Sequence, residues 1–232
     1  MHLLAKLFRL LIGLLLIPAC VAVTYADIVV VQSIYPSIEA TISNSGWALI
    51  CGFMLWALIY VVLPRPMRTY VLAHELTHAL WGWVMGAKVR GLQVGKQGGS
   101  VTLSRTNFLV TLAPYFFPLY TVCVIALYYV LALFLEVAPY QLIWLGLVGF
   151  TWSFHLTFSL SSLLQKQTDI RSQGHIFSYA VIYLMNLLGI GVWVVAIAAP
   201  TFVELGDAMM DGFAIAYGTA WEWCCAGVAQ LR

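Results

Sequence analysis

His74-Glu75-Leu76-Thr77-His78 is the run in this chain whose residue types and spacing carry chemistry most directly. Two histidines four positions apart on a helix share one face, a turn apart, so both imidazoles can reach a single Zn²⁺. Glu75 then stands beside the open coordination position. There a carboxylate can take a proton from bound water whose pKa the ion lowers toward about 7. The plainer reading is a helix whose histidines bond only to neighbours. Against it, three ionisable residues in an apolar setting cost several kcal/mol unless they are paired or hold a metal.

A catalytic zinc takes a third protein ligand, with water as the fourth. The candidates are Asp169, His155, His175 and Asn186. Asp169 lies in Gln165-Lys166-Gln167-Thr168-Asp169-Ile170-Arg171, just past a long apolar run and near the side from which the histidine segment enters. His155 stands 14 residues earlier, roughly 21 Å away along a continuous helix. Both therefore reach one ion only if that helix breaks, and depth favours Asp169. Its plainer reading is a solvated carboxylate paired with Lys166 or Arg171. His155 reads equally as a residue behind the ligands, on a substrate or water path, or as a packed histidine bonded to a neighbouring helix. Asn186 suits either polarisation of a substrate carbonyl or an interhelical hydrogen bond. His175, beside Gly174, reads as interfacial.

The elements that must position these groups follow from composition. The chain has 232 residues, 62% of them hydrophobic and only 9% charged, against about 25% charged in soluble domains. So few charges cannot solvate a globule of this size, which excludes a soluble cytoplasmic enzyme. The net charge of +2 is dispersed and excludes a nucleic-acid surface. The expected fold is all-α and polytopic in a lipid bilayer, with about six transmembrane helices, a short helix bearing the histidines and a small β-hairpin. Apolar stretches of spanning length fall at 3–26, 46–63, 106–134, 140–164 and 176–203, with a weaker sixth at 208–230 that contains Asp211 and Glu222. The organisation expected is two N-terminal helices in 1–63, a core in 64–203 and a C-terminal membrane segment in 204–232.

Val89–Val94 and Ser100–Ser104 alternate partially around Gly95-Lys96-Gln97-Gly98-Gly99, which reads as the hairpin. Its exposed edge could pair with an extended peptide, or it could simply connect two helices. Lys6, Arg9, Arg65, Arg68, Lys88, Arg90, Lys96, Arg105, Lys166, Arg171 and Arg232 are all the basic residues. With a cytoplasmic N-terminus and six crossings, all of them face the cytoplasm, provided that 69–86 enters the membrane and returns. A full crossing by 69–86 strands Arg65 and Arg68 opposite the Lys88–Arg105 group. The first span reads as uncleaved, leaving Asp27 outside, and Cys224-Cys225 reads as core packing.

A histidine–glutamate motif in a membrane segment, a glycine-rich hairpin after it and an aspartate near the end of a later span together resemble the site-2 protease family of intramembrane metallopeptidases. The likeness covers residues 69–190 and is strongest to compact bacterial-type members without an added soluble domain. His74, Glu75 and His78 match the family motif directly, and Asp169 matches by position and order. Where the family carries Asn-Pro and Asp-Gly, this chain has Gln167-Thr168-Asp169-Ile170. The resemblance implies one Zn²⁺ held by His74, His78 and Asp169, with Glu75 as base. It also implies a bacterial cytoplasmic membrane and cleavage of membrane-spanning or membrane-proximal segments of a protein substrate. Because water must reach a site lined by apolar helices, a polar cleft open to the cytoplasm is expected, which residues such as Thr77, Gln165, Gln167 and Gln173 could line. The missing sensing domain points to selection by the membrane core or by a regulatory membrane partner. Two other classes stand beside this expectation. One is a transporter whose intramembrane His, Glu and Asp form an ion path; the other is a catalytically silent relative that binds membrane partners.

Overall fold

Glycines where two apolar helices cross decide much of this architecture, because a missing side chain lets the two backbones approach closely. A computed structural model describes residues 2–38, 44–95, 98–197 and 200–230. Glu39, Lys96, Gln97 and Arg232 lie outside the described residues, and so does the centre of the hairpin turn. Backbone proximity divides the chain into two units, Thr41–Asp169 on the one hand and Met1–Ala40 with Ile170–Arg232 on the other.

In the unit Thr41–Asp169, α2 (Asn44–Val62) packs along α6 (Gln141–Leu163). A Cβ at Gly52 would overlap the Gly146 carbonyl, and one at Gly149 would overlap that of Leu49. Phe53 meets Trp152, Trp56 Nε1 donates to Thr157 Oγ1 at 2.9 Å, and Tyr60 meets Phe158. Partner numbers rise together, so α2 and α6 run parallel. Trp56, Phe154 and Phe158 form a buried aromatic core that Tyr70 and Tyr120 flank.

α3 (Met67–Val84) starts after Pro64 and Pro66, which cannot continue α2. It ends at Gly86, whose φ of 75° suits glycine. Arg105 Nη2 donates to the Met85 carbonyl there at 2.8 Å. The hairpin is present as β1 (Val89–Val94) and β2 (Gly99–Leu103), antiparallel, with a bulge between Val89 and Gly91.

The stretch expected as one span over 106–134 is not one helix. α4 (Phe108–Leu112), a 3₁₀ turn at Ala113–Tyr115 and α5 (Leu119–Ala132) are bent by 82°. Pro114 and Pro118 cause the break, since each lacks the amide that would carry the helical ladder onward. Asn107 caps α4 by accepting from the Val110 amide at 2.9 Å. Tyr120 and Phe154, then Tyr128 and Trp144, pair along α5 and α6 in opposite senses, so those two are antiparallel. After Leu163 the chain turns through 164–167 into the short α7 (Thr168–Gln173).

The other unit holds α1 (His2–Ile38), α8 (His175–Ile197) and α9 (Phe202–Gln230). α1 runs well past the expected end at residue 26, because neither glycine nor proline interrupts 20–35. Asp27 is therefore buried within the helix, not in an outer loop, and Gly191 of α8 leaves the space its carboxylate fills. Gly13 lies on Phe177 and Thr24 Oγ1 on Tyr183 OH, so α1 and α8 are parallel. Gly212 lies on Ala22, and Tyr217 OH donates to Leu15, so α9 is antiparallel to α1. Cys224 and Cys225 are exposed on α9, against the expectation of core packing. Among the described residues four helices are long and apolar enough to cross a membrane, and the bent pair makes a fifth if it counts as one span.

Candidate metal centre

The spacing of His74 and His78 does what helical geometry demands: on α3 the two rings lie with centroids 4.9 Å apart. The turn after α6 brings Asp169 to them. Asp169 Oδ2 lies 3.5 Å from His74 Nε2 and 3.6 Å from His78 Nε2. Both separations exceed a direct N–H···O bond. Zn–N bonds of 2.0–2.1 Å in tetrahedral geometry put neighbouring ligand atoms roughly 3.3–3.4 Å apart. His74, His78 and Asp169 thus form a group that could hold a metal ion, with one atom from each inside a 4.8 Å cluster. Two neutral imidazoles and a carboxylate are a donor set that zinc accepts.

The surroundings orient this set. His78 Nδ1 lies 2.8 Å from the Val110 carbonyl. A carbonyl only accepts, so Nδ1 carries the proton and Nε2 turns its lone pair toward the cluster. The proline break makes this possible, because α4 ends beside α3 instead of continuing into α5. Tyr115, 1% exposed in the 3₁₀ turn, donates from its hydroxyl to Asp169 Oδ2 at 3.1 Å. Sequence reading passed over Tyr115. The signal for it was Ala113-Pro114-Tyr115-Phe116-Phe117-Pro118, two prolines that must break an apolar run.

Glu75 is next to the histidines and 7% exposed. Burial pushes its carboxyl above the usual range, against the pull of the two imidazoles. At Asp169 burial pushes the same way but loses: the facing imidazoles hold its carboxyl well below the usual range. At His78 burial disfavours the charge, yet the Asp169 carboxylate outweighs it and the pKa is raised. β2 reaches this corner: a Cβ at Gly99 would lie 2.6 Å from Glu75 Cγ and 2.8 Å from Val71 Cγ1. Only a glycine lets the strand approach the carboxylate so closely.

His155 is not in the cluster, in line with the depth argument that preferred Asp169. α6 ends at Leu163, and the turn beyond it folds Asp169 back while His155 stays on α6. There it lines a small cavity of about 20 Å³ together with His74, Tyr70, Thr77, Tyr120 and Thr151. Thr77 bonds to the Ala73 carbonyl, Tyr120 to that of Thr69 and Thr151 to that of Leu147. The buried Nε2 of His155 has no hydrogen-bond partner among the described residues. Of the residues expected along a polar cleft, Thr77 is buried on this cavity and Gln165 is exposed. Asn186 belongs to the other unit, where its Nδ2 donates to Ile182 at 2.8 Å. His175 begins α8 in that unit.

Comparison with protein-family profiles, with curated proteins and with solved structures returns no match to this chain.

Proposed function

We propose that this chain is a zinc endopeptidase of site-2 protease type, which hydrolyses peptide bonds in membrane-spanning or membrane-proximal segments of other proteins. The observation that carries the reading is the convergence of His74 Nε2, His78 Nε2 and Asp169 Oδ2 with a buried carboxylate, Glu75, at their side. Zinc bound there would supply Lewis-acid polarisation of the scissile carbonyl and a more acidic water. Glu75 accepts the proton that water loses on attack and returns it to the leaving amide nitrogen. A substrate must be extended to expose its amide, and each strand of a two-stranded sheet has a free edge. Gly99 sets β2 against Glu75, so a segment paired there has its backbone beside the base.

Helix directions support six crossings with the histidine helix entering and returning. Parallel α2 and α6 need one net crossing between residues 63 and 141, although that stretch holds both α3 and the bent α4–α5. The apolar bent pair suits the crossing, and α3, which carries Arg68, His74, Glu75 and His78, suits the excursion. Parallel α1 and α8, with α9 antiparallel to both, fit the same count. With a cytoplasmic N-terminus, Lys6, Arg9, Arg65, Arg68, Lys166 and Arg171 all fall on the cytoplasmic side.

Purified, metal-replete protein should carry one zinc per chain. His78→Ala and Asp169→Ala should lose it. Glu75→Gln should keep it while losing cleavage of any transmembrane reporter that the wild type cuts. Zinc-free wild type, or full cleavage by Glu75→Gln, would sink the proposal.

A further inference from the structure

His74 and His78 share one helix, whereas Asp169 arrives from beyond α6 through the turn at 164–167. What meets it is the 3₁₀ turn at Ala113–Tyr115, and that turn is braced against the histidine helix. The amides of Phe116 and Phe117 both donate to the Ala113 carbonyl, at 3.1 and 2.8 Å. Their rings stand edge-on to Trp81 of α3, with centroids 5.4 and 5.7 Å away. Tyr115 itself packs edge-to-face on His74, centroids 5.3 Å apart and planes at 86°. A ring buried this closely has little room to swing. Its hydroxyl is therefore fixed relative to the histidines.

That hydroxyl donates to Asp169 Oδ2 at 3.1 Å, the same oxygen that faces both imidazoles. An ionised carboxylate only accepts, so the proton in this bond belongs to Tyr115. A carboxylate oxygen offers more than one lone pair. On Oδ2 one is taken by the tyrosine, and another is left for an ion between the histidines. Bringing Oδ1 round to share that ion needs rotation about Cβ–Cγ, which carries Oδ2 away from Tyr115. The hydrogen bond thus opposes ligation through both oxygens. A bond to a charged acceptor is about twice as strong as a neutral one, and burial keeps water from replacing it.

We propose that Tyr115 is the positioning residue that holds Asp169 to the histidine helix before any metal arrives and confines its ligation to Oδ2. Ligation through one oxygen keeps the fourth position of a three-ligand zinc free for water. Tyr115 is not itself a ligand. Its part in ligation rests on the zinc hydrolase reading, whereas its hold on Asp169 does not.

Two measurements separate these parts. In metal-free protein, Tyr115→Phe should lower the melting temperature of the wild type and leave that of Asp169→Ala unchanged, because the bond it removes is already gone there. An equal change in both backgrounds would overturn the hold on Asp169. With Co²⁺ as a spectroscopic probe, the wild type should show the intense visible bands of a four-coordinate ion. Tyr115→Phe should show the weaker bands of a higher coordination number. Its metal affinity, read by chelator competition, should fall about 10–100-fold, as losses of a ligand's own hydrogen-bond partner commonly do. Placing 4-aminophenylalanine at position 115 should restore both, since an N–H donor returns to the same place. Bands and affinity unmoved by Tyr115→Phe, a wild type already of higher coordination, or failure of the rescue would overturn the confinement to Oδ2. A wild type that binds no metal would defeat the hydrolase reading alone, because the melting comparison needs none.

Discussion

Glu75 owes its position to the absence of a side chain at Gly99. Gly99→Val should push the carboxylate aside, leaving zinc bound while cleavage falls by about 10²-fold, as displacements near 1 Å commonly do. Unchanged turnover with intact zinc would show that the strand does not set the base. The imidazoles make a separate prediction. Zinc needs them neutral, and the Asp169 carboxylate makes His78 hold its proton more tightly than a free histidine does. As pH falls, affinity should therefore start to drop above the ordinary histidine pKa of about 6.5, while Asp169, held low, stays ionised. An affinity that stays flat down to pH 6 in chelator competition would contradict this. His155→Ala should keep its zinc, since His155 is not among the converging ligands. Sequence exposed the histidines and Glu75 because their relation is local, fixed by 3.6 residues per turn. Tyr115 stayed hidden because a hydroxyl in an apolar run looks the same whether it bonds to its own turn or to a carboxylate far along the chain.

At the scale of elements, the metal centre depends on two interruptions. The Pro114–Pro118 break turns α4 so that Val110 meets His78, and the turn at 164–167 sends Asp169 back. The glycines and prolines were visible in the sequence, as were the hairpin and the ends of α2 and α6. What they did to a continuous apolar stretch was not, because hydropathy records length and polarity but no direction. The α2–α6 crossing behind the aromatic core is equally sensitive. Gly52→Leu would drive a side chain into the Gly146 carbonyl and should cost about 1–3 kcal/mol, as overpacking typically does. Thermal unfolding in detergent reads it directly, and a melting temperature equal to that of the wild type would mean the helices can part without penalty.

For the molecule as a whole, the helix directions turn topology into a counting problem. A membrane-impermeant maleimide should label Glu136→Cys from outside intact cells, and should label Lys166→Cys only after permeabilisation. Equal labelling of both positions from outside would undo the six-crossing arrangement. The two units also differ in how the ribosome delivers them. Every group that lines the metal centre lies between Tyr70 and Asp169, inside one continuous unit whose last residue is itself a ligand. The other unit joins the first helix made to the last two. During synthesis, then, the aspartate that closes the metal clasp emerges before α1 has met either of its partners. The carboxylate of Asp27 is covered only once α8 follows and Gly191 packs against it.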